Sequence, residues 1–115
     1  MSYDIYLRDS GMIVQVPVHS EGGTYVLGGT TEAHLNITYN YGPRYREHID
    51  AEEGIRWLYG KTGAETIERL ESTIAALGTE RADDYWAPTE GNAGYALSIL
   101  LGWARAHPDA VWSGD

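Results

Sequence analysis

Cysteine and phenylalanine are both absent from this 115-residue chain, and lysine occurs once, at Lys61. Without cysteine there is no disulfide framework, no thiolate-bound zinc and no thiol nucleophile. Lys and Arg total 8 against 17 acids, a formal charge of −9. Phosphate-backbone contacts need clustered cations, so this scarcity argues against nucleic acid as a partner. No apolar run approaches the ~20 residues of a membrane span, so no membrane association is expected. The start, Met1-Ser2-Tyr3-Asp4, lacks the basic-then-apolar order of a secretory signal, and the expected compartment is the cytoplasm. The sequon Asn36-Ile37-Thr38 is then a coincidence of composition.

What is present suffices for a core. At 43% hydrophobic residues the chain reads as one domain over 1–115. The N-terminal half has the two-residue period of strands. Tyr3, Ile5 and Leu7 alternate with Asp4, Tyr6 and Arg8. Asp9-Ser10-Gly11 supplies a turn, and Met12 to Val18 reads as the second strand of a hairpin, with Pro17 placing it at an edge. Two Gly-Gly-Thr triplets follow, at Gly22 and Gly28, around the short apolar segment Tyr25-Val26-Leu27. They read either as tight turns flanking a short strand or as backbone that closes around a ligand. From Thr31 to Tyr41, Leu35, Ile37, Tyr39 and Tyr41 alternate with His34, Asn36, Thr38 and Asn40. This favours a strand; a helix capped by Thr30 or Thr31 is the competing reading.

The C-terminal half has helical spacing. Asp50 and Glu53 form a capping-box pattern for a helix to about Tyr59, stopped by Gly60. Thr62 and Glu65 form a second, ahead of the stripe Ile67, Leu70, Ile74 and Leu77. Thr89 caps a third helix whose core face is Ala93, Ala96, Leu97, Leu100, Leu101 and Ala104, ending before Pro108. The tail carries Val111 and Trp112 and is expected to dock. Strands first and helices after predict an α+β fold: a small N-terminal antiparallel sheet with about three C-terminal helices packed on one face.

Motifs for chemistry are sparse. No nucleophile elbow is present, and neither Gly pair matches a phosphate loop. Glu47, His48, Asp50, Glu52 and Glu53 lie close together, but Asp50 and Glu53 serve as caps, and no metal or cofactor is expected. Asp83, Asp84 and Glu90 flank Tyr85 and Trp86, an arrangement of paired carboxylates beside desolvating rings that suits acid–base chemistry.

The aromatic residues are more informative, since every one carries a polar group and can pack a flat face while its O–H or N–H finds a partner. The candidate ligand site combines Asn36, Thr38 and Asn40 for hydrogen bonds with Tyr39, Tyr41 and Trp86 for stacking. Arg44 and Arg46 would meet an anionic group, and Gly28, Gly29 and Thr30 would give close backbone approach.

Several stretches together resemble a family of small, uncharacterised proteins of bacteriophages and bacterial genomes. They are Gly23-Thr24-Tyr25, Gly28-Gly29-Thr30-Thr31-Glu32-Ala33, Leu35-Asn36-Ile37-Thr38-Tyr39-Asn40-Tyr41, Thr89-Glu90-Gly91-Asn92-Ala93 and Pro108-Asp109-Ala110-Val111-Trp112. The resemblance covers nearly the whole chain. It implies a phage or prophage setting and carries over no catalytic residue. Small phage proteins of this size often act against host defences, by sequestering a signal nucleotide or blocking a host protein.

Three functions follow as expectations. The first is a non-catalytic protein that holds a small polar, nucleotide-like ligand at the site above, to counter host defence. The second is an acidic inhibitor of a host protein. The charge is spread evenly, however, with 8 acids against 4 bases in residues 1–60 and 9 against 4 in the remainder. The third is a small hydrolase built on Asp83, Asp84 and Glu90. A Tyr- and Trp-rich domain of this size is also compatible with a homo-oligomer.

Overall fold

The computed structural model describes residues 1–23 and 27–115. Its organising element is β1 (Ser2–Asp9), in which Tyr3, Ile5 and Leu7 point into the core while Asp4, Tyr6 and Arg8 face out. The expected alternation is therefore realised residue for residue. On one side β1 pairs antiparallel with β5 (His34–Thr38) and, further along, with the two-residue β2 (Met12–Ile13). On its other side it pairs with β6 (Val111–Gly114), placing Trp112 opposite Leu7. The tail does dock, as a strand held from both sides. Beyond the β1 ladder, Gly60 N–H donates to Trp112 O and Trp112 N–H to Lys61 O, both at 2.9 Å.

The expected single strand from Met12 to Val18 is divided. β2 stops at Ile13, and β3 (Gln15–His19) leaves the sheet to pair with β4 (Thr30–Glu32) as a separate two-stranded arm. A closed triangle of backbone bonds marks the branch. Leu7 N–H donates to Ala33 O, Ala33 N–H to Val14 O and Val14 N–H to Leu7 O, at 2.9–3.0 Å. All three residues are buried, so every polar group at the junction needs a partner, and the triangle supplies them. The strand expected at Tyr25-Val26-Leu27 lies, for its first two residues, outside the described residues; Leu27 stands in an exposed turn.

The strand expected to continue to Tyr41 ends at Thr38. Tyr39–Tyr41 form a 3-10 turn, and α1 (Gly42–His48) follows directly. The Thr38 side chain accepts the Asn40 N–H at 3.2 Å and so closes the turn, and a proline in the first turn opens the helix. Neither strand nor capped helix fits the whole of 31–41.

The helix expected from Asp50 is also corrected. Asp50 accepts the N–H groups of Glu52 and Glu53, at 3.1 and 2.7 Å, but the turn it caps leads only to a 3-10 segment, Gly54–Leu58. Gly54 takes a φ of +58°, which no α-helix accommodates.

The two long helices follow their sequence signals. α2 (Gly63–Leu77) carries the full reciprocal capping box between Thr62 and Glu65. α3 (Glu90–Ala106) is capped by Thr89, and all six expected core residues on it are buried. Together with α1 they cover the inner face of the sheet, giving an α+β fold of antiparallel strands and three packed helices. Among the described residues, no helix is long and apolar enough to cross a membrane.

The outer face of the sheet is polar and ordered. Asn36 donates to Ser2 Oγ at 2.7 Å and to Asp4 Oδ1 at 2.9 Å; His34 Nε2 meets the same Asp4 oxygen at 2.9 Å. Burial pushes the Asp4 carboxyl upward, but the hydrogen bonds from Asn36 and His34 and the His34 charge outweigh it, leaving Asp4 below its ordinary 3.8. A carboxyl depressed in the fold adds stability above its unfolded value and loses it as pH falls through the folded one. Wild-type melting temperature is therefore expected to drop as pH falls from about 6 to about 3. Asn36→Ala should shrink that acid-induced drop, as read by circular dichroism melts at both pH values. An equal drop in the two proteins would refute the assignment.

Candidate functional site

A cleft of about 760 Å³ opens between the segment that follows β3, the loop 79–88 and one face of α3. The arm contributes Ser20, Glu21 and Gly22; the loop contributes Arg81, Ala82, Asp83, Tyr85 and Trp86; α3 contributes Asn92, Tyr95, Ala96 and Ile99. Leu35 and Tyr41 form its floor, both buried.

The loop has almost no regular structure, and neighbouring side chains fix its backbone. From one side, Asn40 Nδ2 donates to Trp86 O at 2.9 Å, the Tyr41 hydroxyl to Tyr85 O, and Arg44 Nε to Pro88 O at 3.2 Å. From the other side, buried Asn92 donates to Asp84 O and Ala87 O and accepts the Ala82 N–H, at 2.9–3.0 Å. Asp84 accepts the Trp86 N–H at 3.0 Å. The Tyr85 hydroxyl bonds the backbone of Asn36 and Thr38.

These bonds locate the residues expected to hold a ligand. Tyr41 and Trp86 line the cleft. Asn40, Arg44 and the Thr38 backbone stand behind the loop and hold it. Asn36 turns its side chain to the outer face of the sheet, while its carbonyl accepts the Gly23 N–H at 2.8 Å. Tyr39 lies edge-on to Tyr3 with centroids 4.6 Å apart, and its hydroxyl accepts from Arg56. Arg46 folds back over Gly42 and Gly54. Gly28, Gly29 and Thr30 do not line the cleft; they lead into β4, with Gly29 seated against His19 O. The close backbone approach of the other pair, Gly22-Gly23, is made to Asn36 of the protein's own β5.

The cleft itself is aromatic with charges at its rim. Trp86 is 50% exposed, and Tyr85 meets its ring edge-on with centroids 5.0 Å apart. The Tyr95 ring carries the Arg81 guanidinium at 4.4 Å from its centroid, and its hydroxyl donates to Glu21 Oε2 at 3.2 Å. Burial, followed by the Glu21 charge and hydrogen bond, raises the Tyr95 phenol; Arg81 opposes this in part. Burial likewise raises Tyr41 far above the usual phenol range. Both hydroxyls are thus protonated donors at neutral pH.

Glu21, Arg81 and Tyr95 did not enter the sequence-based site. One signal for it exists on α3. Asn92, Tyr95, Ala96 and Ile99 recur at helical spacing, a second stripe beside the core stripe. Asp83, Asp84 and Glu90 are all exposed, with Asp84 engaged in holding the loop. Among the described residues, no three acidic or histidine side chains converge as a metal site would require. Comparison with known proteins brings no match: no family model, curated protein or solved structure aligns with this chain.

Proposed function

We propose that this protein binds a small, polar, ring-bearing molecule of nucleotide type in the cleft between the arm, the loop 79–88 and α3. The observation that carries the reading is the half-exposed Trp86, which meets Tyr85 edge-on and lines a cleft shared with Arg81 and Tyr95. An indole face accepts any planar ring, and the polar groups around it fix orientation. The loop is held from both sides before any ligand arrives, which lowers the ordering cost of binding. In the phage setting implied by the resemblance, such binding withdraws a host signal nucleotide in the host cytoplasm.

Thermal shift and isothermal titration with a panel of bases, nucleosides and nucleotides test this, supported by native mass spectrometry of the purified protein. Trp86→Ala is expected to weaken binding by about tenfold or more, the scale of one lost base–aromatic stack, with the fold unchanged. No shift with any panel compound and no co-purifying small molecule would overturn the reading.

A further inference from the structure

Resting on that reading, we infer that the cleft sorts ligands by charge. It takes a nucleoside-type molecule with at most one negative charge, a nucleoside or a 3′,5′-cyclic mononucleotide, and turns away polyphosphates. Tyr95 organises the selection. Its ring face carries the Arg81 guanidinium and its hydroxyl holds the Glu21 carboxylate, so one ring sets a cation and an anion side by side. Arg81 forms no ion pair among the described residues, and its charge remains available to a ligand.

Against this cation the cleft lining sets two carboxylates, Glu21 and Asp83. A ligand monoanion meets Arg81. Further charges meet carboxylates, in a molecule whose overall charge is −9 and whose field repels anions at longer range. Carboxylates accept hydrogen bonds and cannot donate them when ionised. They therefore suit the ring amino groups and ribose hydroxyls of a nucleoside. A terminal monophosphate, at about −1.5 to −2 at neutral pH, already exceeds what a single guanidinium offsets.

The test is a titration series at fixed ionic strength with adenosine and guanosine, their 3′,5′-cyclic monophosphates, and ATP and GTP. The cyclic mononucleotides are expected to bind tightest and the triphosphates at least about tenfold more weakly. Arg81→Gln should bring the cyclic forms down to their nucleosides, and Glu21→Gln should narrow the gap to the triphosphates. Triphosphates binding tightest would overturn the charge assignment alone, as would a gap unmoved by either substitution. If no compound in the series binds, the ligand reading fails with it.

Discussion

Trp112→Ala is expected to remove about 3–5 kcal/mol, the range for truncating a large buried aromatic, and to leave the chain at the edge of folding. Trp112 is the largest fully buried side chain, opposite Leu7 on the inner face of the sheet. Its indole N–H donates to Thr66 Oγ1 at 2.9 Å, and that hydroxyl donates to Gly63 O at 2.8 Å. The ring therefore ties β6 to the first turn of α2 while filling the space between them. Alanine leaves a cavity and also unlocks a strand held by backbone bonds on both sides. Trp112→Phe keeps most of the volume and loses only the indole bond, so it should cost about 1–2 kcal/mol. Urea unfolding followed at a β-sheet signal separates the two. Equal, small losses would show that the tail is dispensable.

Gly94→Ala is expected to destabilise at or beyond the ~3 kcal/mol upper end of overpacking. A methyl group at Gly94 would lie 1.8 Å from the carbonyl oxygen of Gly78, and one at Gly91, a turn earlier, 1.9 Å from that of Glu80. The chain leaving α2 crosses α3 backbone against backbone here, and neither side has a flexible end to yield. Gly102, on the same helix, is the internal control. Nothing lies within 4 Å of its Cβ position, so Gly102→Ala should stabilise by about 0.4–1 kcal/mol. Thermal melts of the pair, measured together, remove any general effect of helix propensity. A Gly94→Ala protein as stable as wild type would disprove the close crossing.

The parts of the fold legible in the sequence were those whose signal is local. The β1 alternation, the Thr62–Glu65 capping box, the Thr89 cap and the α3 core face each lie within one element and survive into the structure. The failures have specific causes. Alternation from Leu35 to Tyr41 carries on past Thr38 because Tyr41 must be buried whether the chain is extended or turning, so burial alone does not show where the strand stops. Asp50 accepts the same two N–H groups in a turn as it would in a helix cap, and only the positive φ of Gly54 distinguishes them.

The candidate site divides in the same way. Tyr41 and Trp86, chosen because an aromatic residue with a polar group tends toward clefts, both line the cleft. Asn40 and Arg44 were placed on the ligand side, and each donates one hydrogen bond to a loop carbonyl 44–46 residues away. Polar side chains at a strand end suit both tasks equally. Glu21 and Tyr95 are 74 residues apart, and nothing in either local sequence anticipates their meeting.

The backbone triangle of Leu7, Val14 and Ala33 makes the arm a side branch on a complete trunk. Residues 15–32 leave and return at a point where the trunk's own hydrogen bonds are already closed. The branch touches the trunk again where Gly23 N–H donates to Asn36 O and the His19 ring meets Trp103 of α3, so its composition is free to diverge only away from those contacts. Because the segment that follows β3 supplies the wall of the cleft that carries Glu21, divergence there would alter which molecules are admitted while preserving the architecture that admits them.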